Sequence, residues 1–178
     1  QDDQITYVGS KKPETFSGEI YDGTDKLLAP GLVNTHCHVP MTLLRSAGAD
    51  LRLQRWLQEA IFPIEAKLNA EYTYYGALLG IGEMLRSGVT AFNDMYFYVD
   101  SIAKAVLESG ISANLSVGIL NTDPTIKPEQ VPFFQETKSL CQQYHNANGG
   151  QLKIDAGIHA EYTSNSELVL AVAEYAKE

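Results

Sequence analysis

The apolar positions of the chain change their spacing near Pro30. Before that point they occur in short segments, ITYVGS and GEIYDGTDKLL, which are interrupted by Gly18 and by the turn-forming pair Asp22 and Gly23. Short runs rich in β-formers and bounded by glycine turns are typical of strands. The pattern therefore predicts strands without helices over residues 1–28.

After Pro30, predicted strands alternate with predicted helices. The strands are GLVNTH, VTAFNDMYF, ISANLSVGIL and QLKIDAGIHA, and apolar residues at helical spacing follow each of them. Pro63 should break or bend the first helix, since proline cannot donate a backbone hydrogen bond. Gly88 should end the next helix, and Ser164 with Glu167 should form a capping box for the last one.

Four successive strand-then-helix units predict an α/β fold with parallel strands and crossover helices. An open doubly wound sheet and a (β/α)8 barrel both satisfy this order. No G-x-G-x-x-G motif follows the first strand, as it would in a nucleotide-binding open sheet. A closed barrel needs eight units and this chain supplies four. We therefore expect residues 29–178 to form the N-terminal half of a TIM-type barrel.

Composition and charge exclude several classes of function. The chain has 178 residues, of which 44% are hydrophobic, and its formal net charge is −9. A nucleic acid would be repelled by this charge, and no apolar run approaches the roughly 18 residues that cross a bilayer. The polar start lacks the layout of a signal peptide, and two cysteines are too few for a disulfide framework. We expect a cytoplasmic protein with neither a nucleic-acid nor a membrane partner.

The segment NTHCHVP places two histidines around Cys37, at the end of the first predicted strand. Residues two apart on a strand face the same side, so His36 and His38 should converge while Cys37 packs on the opposite side. Paired neutral imidazoles suit zinc or ferrous iron. Two histidines satisfied by neighbouring backbone groups are the alternative, and the spacing alone does not decide between them.

The segment LLAPGLVNTHCH resembles the first-strand motif of the amidohydrolase superfamily. RWLQEAIFPIEAKL and GVTAFNDMYF are similar to its branch of methylthioadenosine and S-adenosylhomocysteine deaminases, and the similarity covers nearly the whole chain. The resemblance implies a (β/α)8 barrel with a small β-sandwich assembled from both ends of a longer chain. Residues 1–28 would then be part of that sandwich.

The resemblance also implies a hydrolytic deaminase of adenosine-type nucleosides, such as 5′-methylthioadenosine, S-adenosylhomocysteine or adenosine. One divalent metal ion, zinc or alternatively iron, activates the water that attacks the amino-bearing ring carbon, and ammonia leaves. His36 and His38 would be metal ligands. The other ligands and the proton-transferring glutamate of this family lie on later strands, so we expect the chain alone to be inactive.

Three further residues match substrate-binding positions of the family. Glu65 would hold the ribose hydroxyls, Trp56 would line the substrate pocket, and His159 would contact the substrate. For His159, metal ligation and a purely structural role remain open. Glu65 as a solvated helix residue and Trp56 as a core residue are the corresponding alternatives. His145 is expected to be a surface residue at a helix end, and Asp94 a hydrogen-bonding residue at the end of a strand.

The matching stretch departs from the family at one place. A member that handles S-adenosylhomocysteine carries an arginine after the third strand, and Val117 stands at that place here. Without a guanidinium to pair with the carboxylate of the amino-acid tail, that substrate is less favoured than methylthioadenosine or adenosine.

Two other functions remain open. The chain could serve an amidohydrolase that acts on another amino-heterocycle, such as guanine or a triazine, because the residues that select the substrate lie mostly on later strands. It could also be a non-catalytic barrel scaffold, although the two histidines argue against the loss of a metal site. We further expect a homo-oligomer, with a small nucleoside as the partner molecule.

Overall fold

The computed structural model describes residues 4–178, which divide into two compact units at Pro30 and Gly31. The second unit is built on a four-stranded parallel sheet with the sequential order β1-β2-β3-β4. This is the arrangement of one half of a (β/α)8 barrel, so the predicted α/β class and strand direction are confirmed. The strands are β1 (Leu32–Cys37), β2 (Val89–Tyr96), β3 (Ser112–Ile119) and β4 (Leu152–Ile158).

Helices follow each strand along the chain. Two short helices and a π-helical stretch (Trp56–Ile61) lie between β1 and the first long helix. A short helical turn at Ala147–Gly150 contains residues in the left-handed conformation. Three 3-10 turns complete the structure, at Val39–Leu44, Pro128–Gln130 and Glu161–Thr163. The helices are α1 (Leu53–Arg55), α2 (Phe62–Glu65), α3 (Ala70–Arg86), α4 (Val99–Ser109), α5 (Pro132–Tyr144), α6 (Ala147–Gly150) and α7 (Ser166–Tyr175).

The helix ends show which local signals were correct. Pro63 lies just after the π-helical stretch, where its missing N–H interrupts the α-helical bonding pattern. Gly88 has a φ of 81° directly after α3, which is the left-handed conformation expected at a helix end. The predicted capping box at Ser164 is wrong. Asn165 caps α7 instead, because its side chain accepts a hydrogen bond from the N–H of Leu168.

No strand forms in residues 4–30, so the strands predicted for residues 1–28 are wrong over the described part of that segment. Positions 1–3 lie outside the described residues, and residues 4–30 contain turns and bends but neither strand nor helix. Side chains such as Ile20, Leu27 and Leu28 are exposed there. A strand is stable only when a neighbouring strand satisfies its backbone and an apolar face is covered. This segment finds neither within the described residues.

The main core lies between the sheet and the helices. Along β3, Ala113, Leu115, Val117 and Ile119 are buried, whereas the residues between them face the other side of the sheet. Val117 is therefore a core residue inside the strand, and the comparison of Val117 with an arginine that follows the strand is wrong. The position after β3 is Leu120.

Among the described residues, no helix has the length and apolar character needed to cross a membrane.

Candidate functional site

A cavity of about 350 Å³ opens at the carboxyl ends of the strands, and we call it the mouth cavity. It brings together four of the five site residues predicted from the sequence: His38, Trp56, Glu65 and His159. The fifth, His36, lies against His38. Its other walls are Met41, Leu57, Ile61, Phe62, Met95, Tyr96, Phe97, Gly118, Leu120 and Thr163. Carboxyl ends of parallel strands are where α/β barrels place their active sites.

The imidazole of His36, in β1, and that of His38, directly after β1, lie together as the strand period predicts. The ring centroids of His36 and His38 are 5.3 Å apart, with the rings nearly perpendicular. Cys37 packs against the main apolar core, and its thiol lies 3.4 Å from the carbonyl oxygen of Asn93. Burial, with a smaller contribution from the charge of Asp94, raises the pKa of Cys37 to about 12. The thiol therefore stays protonated at neutral pH, which does not suit a metal ligand.

A backbone carbonyl fixes the tautomer of His38. Nδ1 of its ring lies 2.7 Å from the carbonyl oxygen of Met95. A carbonyl can only accept a hydrogen bond, so in the neutral ring Nδ1 carries the proton and Nε2 keeps its lone pair. Metal-binding histidines usually donate their second ring N–H in this way. The geometry thus fits His38 to a metal through Nε2.

The turn that follows the histidines is held from two sides. Asp94, which is 1% exposed, accepts a hydrogen bond from the N–H of Val39 at 3.2 Å. Its expected role as a strand-end hydrogen-bonding residue is confirmed, and burial raises the pKa of its carboxyl to about 7. On the other side, Thr42 donates to the carbonyl of Gly76 in α3 at 2.7 Å. A side chain at Gly80 would meet Val39 at 2.6 Å, so small residues permit this contact.

Tyr96 positions Glu65. The hydroxyl of Tyr96 donates to Oε1 of Glu65 at 2.7 Å, which leaves the other carboxylate oxygen available to a ligand. Burial, and next the hydrogen bond to Glu65, raise the pKa of Tyr96, so it remains a donor at any physiological pH. The Tyr96 ring also lies 6.1 Å from that of His38. Tyr96 therefore connects the histidine end of the mouth cavity to Glu65.

Trp56 is the first residue of the π-helical stretch and forms one wall of the mouth cavity. Its indole N–H donates to the carbonyl of Ala47 at 2.9 Å, which fixes the orientation of the ring. The backbone of Gly48, at a φ of 65°, passes close to the Trp56 ring. Helical turns of the π type are frequent at functional sites. The tryptophan is thus a rigid, partly exposed wall rather than a core residue.

His159 follows β4 and reaches the same cavity from the opposite side. The hydroxyl of Thr163 donates to the carbonyl of Ala160, so its oxygen accepts from Nδ1–H of His159 at 3.1 Å. In the neutral ring Nε2 is then an acceptor. His145, by contrast, is exposed at the end of α5, where Nδ1 lies 2.9 Å from the carbonyl oxygen of Ile154. The surface position predicted for His145 is confirmed.

The donor set accounts for part of a metal site. Within residues 4–178 there is no group of three or more His, Cys, Asp or Glu side chains placed to hold a metal ion. His36 and His38 fit as two nitrogen ligands, because they are adjacent and the second has its lone pair directed by Met95. A zinc site has at least three protein ligands. The described residues therefore offer two nitrogen donors that fit a metal ion and no complete centre.

Sequence reasoning missed the residues that support the predicted ones. Tyr96, Met95 and Thr163 each bond a predicted site residue; the first two lie at the end of β2, and Thr163 ends the 3-10 turn that follows β4. Their place in the strand order was available from the sequence. Which of them bonds which partner was not, because the pairings join segments far apart in the chain.

Comparison with known proteins gives consistent results. A sequence profile of the amidohydrolase family matches residues 27–178. The chain is 42% identical over 177 residues to a protein of Thermoanaerobacter pseudethanolicus named 5-methylthioadenosine/S-adenosylhomocysteine deaminase, which covers 99% of this chain and 40% of that protein. It is 43% identical over 175 residues to a 5'-deoxyadenosine deaminase of Methanocaldococcus jannaschii, covering 98% of this chain and 41% of the relative.

Solved structures share the fold. An adenosine deaminase from Xanthomonas campestris with bound zinc matches with a TM-score of 0.74 and 34% identity, over 83% of this chain and 34% of that one. Guanine deaminase of E. coli matches with a TM-score of 0.66 at 20% identity, over 83% of this chain and 35% of that one, which shows a common fold alone. The chain spans about two fifths of the length of the curated relatives.

Proposed function

Because the chain belongs to the amidohydrolase family, we propose that the full-length protein is a metal-dependent deaminase of adenosine-type nucleosides. The reaction replaces the exocyclic amino group of the purine by oxygen and releases ammonia. A bound divalent metal, zinc in the first place, would lower the pKa of water and supply a nucleophile at neutral pH. His36 and His38 would be two of its ligands, and the other ligands would come from segments outside residues 1–178.

The observation that carries this proposal is the convergence of separate segments on the mouth cavity. His38, Trp56, Glu65 and His159 come from four different segments and line one cavity of about 350 Å³. Nucleoside-sized ligands occupy pockets of this order. The alternative function, a non-catalytic scaffold, would not require a histidine in the wall of this cavity whose ring is oriented by a backbone carbonyl.

Each residue has a distinct task in this proposal. Glu65 accepts hydrogen bonds from ribose hydroxyls with the oxygen that Tyr96 leaves available. Trp56 packs its fixed ring against the nucleoside. His159 accepts a hydrogen bond at Nε2 from a substrate N–H or O–H. Glu65 favours nucleosides over free amino-heterocycles, because a base without ribose offers it no pair of hydroxyls.

The experiment measures ammonia release from adenosine, 5′-methylthioadenosine and 5′-deoxyadenosine by the full-length protein loaded with zinc. Removing a group that merely hydrogen-bonds a metal ligand typically lowers metal affinity or activity by about 10- to 100-fold. Removing a ligand itself should cost more, so His36→Ala and His38→Ala should each lower kcat/KM by at least about a hundredfold. His145→Ala is the matched control, since it removes an exposed imidazole outside the mouth cavity. Absence of turnover with all three nucleosides would refute the proposal, as would equal losses in the three variants.

A further inference from the structure

The helix α3 carries apolar side chains on its outward face as well as on its inward face. The inward face packs against the core, where Ala77 and Ile81 are buried. On the opposite face, Tyr72, Tyr75 and Leu79 are 52%, 58% and 48% exposed. The outer face of a surface helix is normally charged or polar, and contiguous exposed apolar side chains mark interaction sites. The pattern of α3 therefore indicates that a partner covers its outward face.

Closure of the barrel would leave this outward face open. The helices of a (β/α)8 barrel form a ring outside the strands, so a helix face that points away from the sheet points away from every strand. Leu43, in the 3-10 turn Val39–Leu44, is 47% exposed and lies close to Gly76 on the same side of α3. It extends the apolar area beyond the helix itself. We define the α3 surface as Leu43, Tyr72, Tyr75 and Leu79.

Tyr75 is held in place before any partner binds. Its ring meets that of Tyr74 edge to face, with centroids 5.2 Å apart and an angle of 71° between the planes. Tyr74 in turn donates its hydroxyl to the carboxylate of Glu108 in α4. An aromatic side chain that is already ordered loses little conformational entropy on association, and tyrosines often dominate the binding energy of interfaces. Tyr75 is thus suited to anchor an interface.

The charges at the two ends of α3 complement each other. Glu71 lies in the first turn and Arg86 in the last turn, and neither forms an ion pair within the described part of the chain. Spacings of four and seven residues place both on the face of Tyr75 and Leu79. They are about 22 Å apart along the helix axis, so they cannot pair with each other. Beside a second α3 that runs in the opposite direction, each Glu71 lies opposite the Arg86 of the other copy.

We propose that the α3 surface is a twofold interface, in which α3 packs antiparallel against α3 of a second copy of the chain. This interface gives the expected homo-oligomer a defined contact. Tyr75 and Leu79 supply its apolar centre, because both lie near the middle of the helix. The two Glu71–Arg86 pairs fix the antiparallel direction, since parallel helices would bring like charges together. The described lining of the mouth cavity includes none of these residues, so the interface is independent of the proposed reaction.

Sedimentation equilibrium of the full-length protein tests the interface, with the Kd of the dimer as the measured quantity. Tyr75→Glu buries a charge at the centre and should raise this Kd by at least about thirtyfold. Glu71→Arg alone and Arg86→Glu alone place like charges opposite each other, and each should raise the Kd about tenfold or more. The double variant with Glu71→Arg and Arg86→Glu re-forms both pairs with the signs exchanged. Its Kd should return to within about threefold of the original value.

Two controls separate this contact from general effects of charge and stability. The double variant opposes the helix dipole at both ends of α3, so a more stable helix cannot explain a restored Kd. Glu174→Arg makes the same change in net charge as Glu71→Arg at an exposed residue of α7, and it should leave the Kd unchanged.

Three outcomes would overturn the proposal. A full-length protein that stays monomeric at micromolar concentration has no such interface, whether a later segment of its own chain covers α3 or the face stays open. An oligomer that none of the α3 variants weakens associates through another surface. Single charge reversals that weaken the dimer, without recovery in the double variant, would exclude the antiparallel arrangement.

Discussion

Glu65 offers a residue-scale test of the proposed nucleoside site. Its carboxylate is half-buried and bonded by Tyr96 on one oxygen, which leaves the other for ribose hydroxyls. A hydrogen bond to a charged group contributes about 1.5–3 kcal/mol, so Glu65→Ala should raise KM for adenosine by about 10- to 100-fold. The free base adenine, which has no ribose, should lose far less, and steady-state kinetics with both substrates measures the difference.

The control for this prediction is Glu71→Ala, which removes an exposed glutamate from the first turn of α3. It should change neither KM. Equal losses for adenosine and adenine in Glu65→Ala would mean that the carboxylate does not act on the ribose.

Asp94 should make folding stability depend on pH. Burial raises its pKa to about 7, whereas an unfolded aspartate titrates near 4, so the folded chain binds the proton more tightly between these values. Stability therefore falls as pH rises through this range, by at most about 4 kcal/mol. Asp94→Asn retains an oxygen to accept from Val39 and removes the titration. Urea unfolding in a chelating buffer at several pH values, from pH 4 to pH 8, measures the effect.

The stability of Asp94→Asn relative to the original chain should thus increase from pH 4 to pH 8. A constant difference over this range would show that Asp94 is not the source of the pH dependence. Asp25→Asn, which removes a carboxylate from an exposed position, is the control.

Single residues show what the sequence could and could not predict about the site. The strand period predicts that His36 and His38 lie together, and the place of His159 after a strand predicts that it faces the same end of the sheet, whereas the roles given to all three rest on the resemblance to the amidohydrolase superfamily. The hydrogen bond between Tyr96 and Glu65 joins two residues 31 positions apart. This hydrogen bond depends on how α2 packs against the end of β2. The local pattern of apolar and polar residues does not predict that packing.

At the scale of elements, α3 and the 3-10 turn Val39–Leu44 act as one unit that sets the histidines. A side chain at Gly76 would lie 2.8 Å from the carbonyl oxygen of Pro40, which belongs to this turn. Gly76→Ala should therefore displace the turn and destabilise the protein by about 1–3 kcal/mol. In the full-length protein it should also weaken the proposed zinc binding about tenfold or more. Chemical unfolding and a zinc titration measure the two effects.

The matched control is Gly82→Ala on the same helix. Nothing lies within 4 Å of a side chain added there, and alanine favours the helix, so this variant should gain about 0.5–1 kcal/mol. Stabilisation of equal size in both variants would contradict the packing argument.

Element prediction succeeded where a segment's own pattern decides its structure and failed where partners decide it. The four strands and their helices after Pro30 are correct, and β2, β3 and β4 each bury side chains within the unit that their sequence neighbours form. Residues 4–30 have strand-like composition but no strand, because a strand edge and a covering layer must come from elsewhere. The cap of α7 moved from Ser164 to Asn165, since both residue types cap helices and tertiary contacts select between them.

The whole molecule has two strands without a second neighbour in the described sheet. β1 and β4 are its edges, and Leu32 and Val33 of β1 are each 61% exposed. The sheet face opposite the helices is polar at Asn93, Asn114 and Asp155, where Asn114 donates to both of the others. Open edges and a half-covered sheet favour association through those edges. The fold thus provides a surface for a further set of strands, which the proposed full barrel would supply.

The last prediction concerns the catalytic capacity of these 178 residues by themselves. His36 and His38 are the two ligands available within residues 4–178, and two imidazoles bind zinc far more weakly than the three or four ligands of ordinary sites. Glu65 is the acidic residue among the described residues that line the mouth cavity, and the proposal assigns it to the ribose hydroxyls, so no carboxylate of this cavity is left to transfer protons. The purified chain with added zinc or ferrous iron should therefore release no ammonia from adenosine or 5′-methylthioadenosine, while the full-length protein does under the same conditions. Ordinary turnover by the 178 residues, abolished by His36→Ala, would show that the site is complete within them.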